Sequence, residues 1–536
     1  MFKKIYNRIK ETFHTYPLFL FLLPAFFLYS GYNELFGFLS AQFILVNALW
    51  IFGSIAVVLG ISLLLLRNKR KAAIFTFFVT LAFLTFGYLH DVLKQLSSNT
   101  ILVRFGFLVP ALLLLIILLF FTLKRQKSKF ESVFNFLNLL FVVLLLSEIP
   151  NSIKRHQLDK SVHNLIDFRF SVFNEYKPQA ELPDSSKPDI YFLLFDAMAS
   201  SQSVQQTTGR NIHPLDSFLQ QKGFYLASAA AANYNWTIHS VSTTLNMEYL
   251  PPWITPVKDD MKVYFWGSSS FKDNSLFRIL NKEGYQIKSY QPISFNNPDW
   301  PGNSYFINLK KDHYYFKTLP GRIYRDIFWN YSRIDFDFVR KQQFRIMQKR
   351  NEEKKQLLDT TIALIKQSCS DSGAPKFIYG HFMIPHDPYV FDSAGNLKEV
   401  EKTIVRTSGD ELQYYYQQLQ YATVVIKDLV NYIQTHNRKN SIIIVAGDHG
   451  FKTEDARVKG YSFNNYSAYY FPDQEYGSMY KSASPVNTFR LVLNKYFNAK
   501  LPLLKDSSTL VVPEKKETIK KSEKIQPTHT PSTPNQ

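Results

Sequence analysis

SIIIVAGDHG, residues 441–450, runs through five apolar residues and ends with an acid and a histidine between two glycines. Continuous apolar residues without alternation mark a strand buried on both faces, as in a parallel sheet. Two other stretches have the same form. DIYFLLFD, residues 189–196, ends on Asp196, and KFIYGHFMIPHDPY, residues 376–389, carries His381 and His386. Helical patterns separate them: HPLDSFLQQKG at 213–223, NSLFRILNKEG at 274–284, and longer amphipathic runs at 346–368 and 410–436. This alternation predicts an α/β fold with a mainly parallel sheet flanked by helices. Ligands of such sheets bind beyond the carboxyl ends of the strands. Asp196, His386, Asp448 and His449 fall at those ends and are expected to converge.

Upstream the chain changes character. Five apolar stretches, at 16–33, 43–66, 72–89, 105–123 and 131–148, fill residues 1–150 and predict a transmembrane domain of about five helices. Lys3, Lys4, Arg8 and Lys10 precede the first stretch, and Arg67, Lys69, Arg70 and Lys71 follow the second. Lys124, Arg125, Lys127 and Lys129 follow the fourth, whereas the alternate loops hold only Lys94 and Arg104. This bias predicts a cytoplasmic N-terminus and, after five spans, an extracytoplasmic catalytic domain at a bacterial-type inner or plasma membrane. No small-residue cleavage motif follows the first stretch, which argues against a cleaved signal peptide.

Residues 151–187 read as a polar linker with some helix, 188–503 as the catalytic domain and 504–536 as a disordered tail rich in Lys, Thr, Ser and Pro. The aromatic and basic segment 313–345 fits either a membrane surface or a helical insert packed on the core, and the insert is the expectation. Lys plus Arg number 62 against 43 Asp plus Glu, but much of the excess lies in the membrane loops and the tail. No nucleic-acid role is therefore expected. The single cysteine, Cys369, excludes an intrachain disulfide and a multi-cysteine zinc site, and reads as a partly buried helix residue.

Each chemical signal has a bland alternative. Asp448 and His449 side by side can reach one cation, and carboxylate plus imidazole suits zinc or manganese; the alternative is a turn with Asp448 accepting backbone N–H groups. NYNWTIHSVSTTLNMEYL, residues 233–250, opens what reads as a helix at Thr237. There a hydroxyl meets free N–H groups and the positive end of the helix dipole, a setting for a phosphate; the alternative is an ordinary helix cap. His381 lies on the strand face expected for residues four apart and so looks toward the same place as His386 unless one of them is structural.

Taken in order, DIYFLLFD, NYNWTIHS, IPHDPY and VAGDHG resemble the alkaline-phosphatase/sulfatase superfamily. The resemblance covers about residues 188–500 and is closer to the membrane-bound branch of lipoteichoic acid synthases and phosphoethanolamine transferases. It implies that Asp196, Thr237, Asp448 and His449 bind one divalent metal ion, zinc or manganese, and that Thr237 is the nucleophile. It implies that His386, with His381, contacts the transferred group or its leaving group. The expected reaction moves a phosphoryl-linked group from a membrane phospholipid donor to a cell-envelope lipid or glycan acceptor through a phospho-threonine. A phosphodiester hydrolase with the same site and a silent envelope scaffold are the competing readings. Sulfatases carry Cys or Ser followed by Pro two and Arg four residues on, whereas Thr237 is followed there by His239 and Val241. No formylglycine forms from threonine, so sulfate-ester hydrolysis is not expected. The phosphoethanolamine branch has a further histidine after DHG, and none occurs here between 450 and 527.

Overall fold

The structure is a computed structural model. It describes residues 2–511 apart from 35–38, 40, 97–100, 178–186, 252–262, 264–265, 268–269, 272, 291–313, 329–336, 372, 404–406, 438–439 and 453–461. The expected tail beyond 511 and most of the proline-bearing part of the linker lie outside the described residues.

The N-terminal part is helical: α1 (Phe2–Thr15), α2 (Phe19–Glu34), α3 (Ala41–Leu66), α4 (Lys69–Leu96), α5 (Phe105–Arg125) and α6 (Glu131–Arg169). Among the described residues, four helices are long and apolar enough to cross a membrane: α3, α4, α5 and the Glu131–Ile153 part of α6. The first predicted span forms α2, whose 16 residues are apolar but short. At 1.5 Å per residue it is about 24 Å long, against roughly 30 Å of hydrocarbon. The fifth span and the first part of the predicted linker are one helix, α6.

Hydrogen bonds set the helix directions. The Phe19 amide donates to Asn138 and the Asn33 amide to Glu148, so α2 and α6 run parallel. At the opposite end of the bundle from Glu148, Arg70 pairs with Glu131 and Lys71 donates to the Lys124 carbonyl. The start of α4, the end of α5 and the start of α6 therefore meet at one cationic end.

After the short helix α7 (Ser171–Glu175) comes a six-stranded sheet, β1 (Asp189–Phe195), β2 (Tyr225–Leu226), β3 (Gln286–Tyr290), β4 (Lys376–Phe382), β5 (Ser441–Gly447) and β6 (Ser467–Tyr470). Its order is β2-β6-β5-β1-β4-β3. The four strands β5, β1, β4 and β3 are parallel, and β6 is antiparallel to both β5 and β2. Every residue of β1, β4 and β5 is buried, which is why these strands read as unbroken apolar runs. Register aligns Phe195 with both Gly447 and Phe382, so three chain segments leave the sheet at one level.

Helices cover both faces: α8 (Ser201–Thr208), α9 (His213–Gln221), α10 (Thr237–Asn246), α11 (Ser275–Lys282), α12 (Asp337–Ser368), α13 (Ser408–His436) and α14 (Pro485–Phe497). One core joins the inner residues of α12 and α13, such as Ile365, Leu419 and Ile426, to one sheet face; the other joins Val241, Leu245, Phe489 and Val492 to the opposite face. Cys369 is fully buried just after α12, and the Tyr191 hydroxyl donates to it.

Past 503, where the tail was expected to begin, Ser508 donates to the Ala232 carbonyl, the Thr509 amide to the Asn233 carbonyl, and the Val511 amide to the Asn235 side chain. Polar groups that make the segment look unfoldable bond instead to the loop that leads into Thr237. The segment 313–345 is not simply an insert on the catalytic core, because Tyr314 packs among the membrane helices with Phe27 and Phe43.

Candidate metal centre

Asp196 follows β1, Asp448 and His449 follow β5, His381 is the sixth residue of β4, and His386 stands in the loop beyond it. Thr237 is the first residue of α10, after Trp236 in extended conformation as the N-cap. All six residues singled out in the sequence come together. The Thr237 hydroxyl lies 3.4 Å from Asp196 Oδ2 and 3.5 Å from His449 Nε2. His449 Nε2 is 3.7 Å from Asp196 Oδ1 and 3.4 Å from Asp448 Oδ2. His381 Nε2 lies 3.5 Å from Asp196 Oδ2, and His386 Nε2 lies 4.0 Å from Asp196 Oδ1.

The residues fit a metal ion. Asp196, Asp448 and His449 offer ligand atoms all within 4.8 Å of one another. Among the described residues, Asp196 Oδ1 and Asp448 Oδ2 are buried and accept no hydrogen bond, which carboxylates inside a protein rarely tolerate without a cation. The other Asp448 oxygen is committed, accepting from the Ala197 and His449 amides at 2.9 Å each. His449 Nδ1 donates to the Gly450 carbonyl at 2.8 Å, which leaves Nε2 as the lone pair facing the carboxylates. Burial holds this imidazole below the usual histidine range against the Asp448 charge, so it stays neutral and able to ligate. For Asp196, burial acts upward, but the charge of His386 and the nearby His381 imidazole outweigh it and hold the carboxyl well below the usual range. Ala197, next in the chain, has φ 61°, a strained backbone for a non-glycine residue and one that aims its amide at Asp448.

The two histidines differ. His381 is fully buried, its Nδ1 hydrogen-bonded to the Tyr379 hydroxyl, which burial keeps protonated, and its Nε2 faces Asp196. His386 is 27% exposed, and its Nδ1 donates to the Asp387 carbonyl at 2.7 Å, so Nε2 faces the centre from the solvent side. Burial alone would lower the His386 pKa, but the charges of Asp196 and Asp387 raise it.

Helix α13 braces both loops from one face. Tyr415 donates to the Ala197 carbonyl and accepts from the Ala199 amide; Gln418, one turn on, donates to the His386 carbonyl and accepts from the Phe391 amide. Helix α10 is buried along its whole length despite its hydroxyls. Thr243 and Thr244 return their hydrogen bonds to carbonyls one turn back, and Ser240 donates to the Asp448 carbonyl. That last bond ties the start of α10 to the GDHG turn.

Sequence reasoning missed two cations. Lys452 stacks over the Trp236 ring at 4.8 Å, beside Thr237, and its charge acts on His386 and His449. Its place three residues after His449 was the available signal. Lys354, on α12, is drawn down to about 8 by burial, with Asp387 and Asp196 opposing that shift. Nothing in its amphipathic surroundings distinguishes it from a surface lysine.

The family model described as Sulfatase matches residues 189–491. Among solved structures, the chain is similar to the C-terminal periplasmic domain of EptC from Escherichia coli, at 11% identity and TM-score 0.38, over 64% of this chain and 95% of that one. It is similar to the integral membrane lipooligosaccharide phosphoethanolamine transferase EptA from Neisseria meningitidis, at 12% identity and TM-score 0.35, over 91% of this chain and 95% of that one. A third likeness is to BT1596, a 2-O GAG sulfatase, at 12% identity and TM-score 0.34, over 60% and 73%. No curated protein matches the chain.

Proposed function

The chain belongs to the sulfatase family, within the alkaline-phosphatase/sulfatase superfamily, and from that premise we propose that it is a membrane-anchored, metal-dependent phosphotransferase. The observation that carries this reading is the meeting of Thr237 with Asp196, Asp448 and His449 at the ends of adjacent parallel strands. The group moved is phosphoethanolamine or glycerophosphate, the donor is a membrane phospholipid, and the acceptor is a cell-envelope lipid or glycan. The cationic end of the helix bundle faces the cytoplasm and the catalytic domain lies outside it.

Two carboxylates, one imidazole and a hydroxyl suit zinc or manganese. Such an ion, held by Asp196, Asp448, His449 and the Thr237 oxygen, supplies a lowered hydroxyl pKa and positive charge for phosphoryl oxygens. The chain does the rest. The start of α10 aims free backbone N–H groups at the place where phosphoryl charge develops. Thr237, its hydroxyl proton already lost to water, attacks phosphorus as the alkoxide, which is also the form in which it leaves later, and the bond from phosphorus to the lipid oxygen breaks. His386 gives its Nε2 proton to that leaving oxygen. His381, its buried Nε2 making no hydrogen bond among the described residues and standing 3.5 Å from Asp196, contacts the transferred group. In the second half the acceptor hydroxyl attacks the phospho-threonine, His386 takes its proton, and Thr237 leaves.

Threonine at 237, without Pro or Arg at the following sulfatase positions, supports phosphoryl over sulfate-ester chemistry. The test uses the full chain in nanodiscs with a headgroup-labelled phospholipid and an envelope lipid or glycan acceptor. Label on the acceptor supports a transferase. Label released to water alone means the competing phosphodiester hydrolase, and no release with metal bound overturns both.

A further inference from the structure

The glycines at Gly31 and Gly87, inside helices that read as membrane spans, have a use that lies outside the bundle's own packing. A Cβ on Gly31 would lie 2.6 Å from the Tyr314 ring, and one on Gly87 would lie 2.1 Å from the Phe316 carbonyl oxygen. Both helices are thus shaped to admit one turn of the chain that belongs, by sequence, to the catalytic two-thirds. The Gly87 amide donates to the Lys317 carbonyl at 2.9 Å, and the Gly87 carbonyl accepts from Arg322 at 2.8 Å. Lys317 pairs with Glu34, and Arg322, 1% exposed, pairs with Asp91. Tyr314 fills the space between, its ring 5.4 Å from Phe27 and 5.5 Å from Phe43. All these contacts fall at the C-terminal halves of α2 and α4 and the start of α3, the end of the bundle opposite its cationic loops.

The same turn continues toward the centre. After Arg322 the chain passes through a π-helical turn, Ile323–Phe328, and there the Tyr324 hydroxyl accepts from Arg350 of α12, whose guanidinium lies 5.7 Å from the ring. Lys354 lies one turn further on the same face, about 6 Å along the axis, and its charge is felt by Asp196 and Asp387. Ile365, at the far end of α12, packs on Gly380 of β4, next to His381. Among the described residues, two paths lead from the membrane bundle toward the metal centre: the chain that leaves the bundle as α6 and α7, and this contact path through Tyr314–Tyr324 and α12.

We propose that the turn Tyr314–Arg322 is a seat that fixes the height of the catalytic centre over the bilayer and so makes a membrane-borne phosphodiester, rather than a soluble one, the favoured donor. This rests on the phosphotransferase reading. A soluble donor diffuses to the centre wherever the centre sits; a lipid headgroup has only a few ångströms of reach above the surface, so its reaction depends on the seat. Tyr314, Gly31, Gly87 and Arg322 are positioning residues here and touch no substrate.

The test uses full-length protein in phospholipid nanodiscs and follows two donors, the bilayer phospholipid and bis-p-nitrophenyl phosphate. Gly87→Leu keeps the helix but fills the space of the seated turn. The expected result is at least a tenfold loss of lipid turnover with soluble turnover and metal content unchanged within twofold. Equal loss on both donors, or no loss on the lipid, overturns the proposal. Should Gly87→Leu fail to fold, a Glu34→Cys/Lys317→Cys pair locks the seat by oxidation; lipid turnover is expected to persist, and its abolition shows that the centre works unseated. If the metal-loaded wild type turns over neither donor, it is the phosphotransferase reading that fails, not the seat.

Discussion

Asn138 and Asp196 are both buried polar residues, and they are buried in opposite ways. Asn138, among the membrane helices, donates to the Phe13 and Tyr16 carbonyls and accepts from the Phe19 amide. Further along the same helix, Glu148 accepts from Asn33 and Asn151. At the strand ends, Asp196 and Asp448 each keep an oxygen that nothing satisfies, and the two carboxylates face the same imidazole. A polar group whose bonds close on the protein holds helices together. One whose bonds do not close is waiting for something the protein binds. The contrast separates architecture from chemistry without reference to any relative.

The sharpest break in that contrast comes at Thr237. Thr237→Ala removes the nucleophile but no packing of consequence, so turnover is expected to fall by at least about 1,000-fold. Metal affinity should weaken less than on loss of a carboxylate ligand, so turnover is compared at saturating metal, and thermal unfolding of the metal-free protein should stay near wild type. Undiminished turnover would sink the mechanism.

Asp196→Asn or Asp448→Asn comes next. Metal affinity, read by elemental analysis after dialysis, should weaken at least about 100-fold. The metal-free protein should be no less stable than the metal-free wild type, because the change relieves like charge at an unfilled site. A large loss of metal-free stability would instead class these carboxylates with Asn138.

How much of this was legible beforehand depends on where each signal lies in the chain. The runs ending at Asp196, His381 and Asp448 announced buried parallel strands, because full burial of β1, β4 and β5 removes alternation. Convergence of their ends followed from the topology of such sheets. The edge strands β2 and β6 were illegible: two and four residues carry too little pattern. The segment after 503 looked like tail because backbone and hydroxyl groups make most of its links to the core, and the buried Val511 is too little to form a pattern. Tyr314 and Lys354 were illegible because their partners are dozens to hundreds of residues away.

On the architectural side, Asn138→Leu strands the Phe13 carbonyl and the Phe19 amide, while the Tyr16 carbonyl keeps the Leu18 amide. It should cost about 2–4 kcal/mol of stability, seen as a lower unfolding temperature in detergent, with metal content unchanged. Loss of metal at a temperature where the helices remain folded would contradict the division.

The smallest effect concerns Lys354. Lys354→Gln removes a cation beside the centre, and KM for an anionic donor should rise about tenfold with little change in kcat. Because burial draws Lys354 down to about 8, its charge is present below that pH and is lost as pH rises through it. In the wild type KM should therefore climb above pH 8, and that climb should be absent in Lys354→Gln. A parallel climb in both proteins assigns it to another group.

The most direct test is mass spectrometry of the wild-type protein acid-quenched during turnover of a phosphodiester donor without acceptor. A phosphoryl-linked adduct on Thr237, dependent on divalent metal and absent from Thr237→Ala, is the predicted result. Turnover with the adduct on another residue, or persisting in Thr237→Ala, would contradict the account.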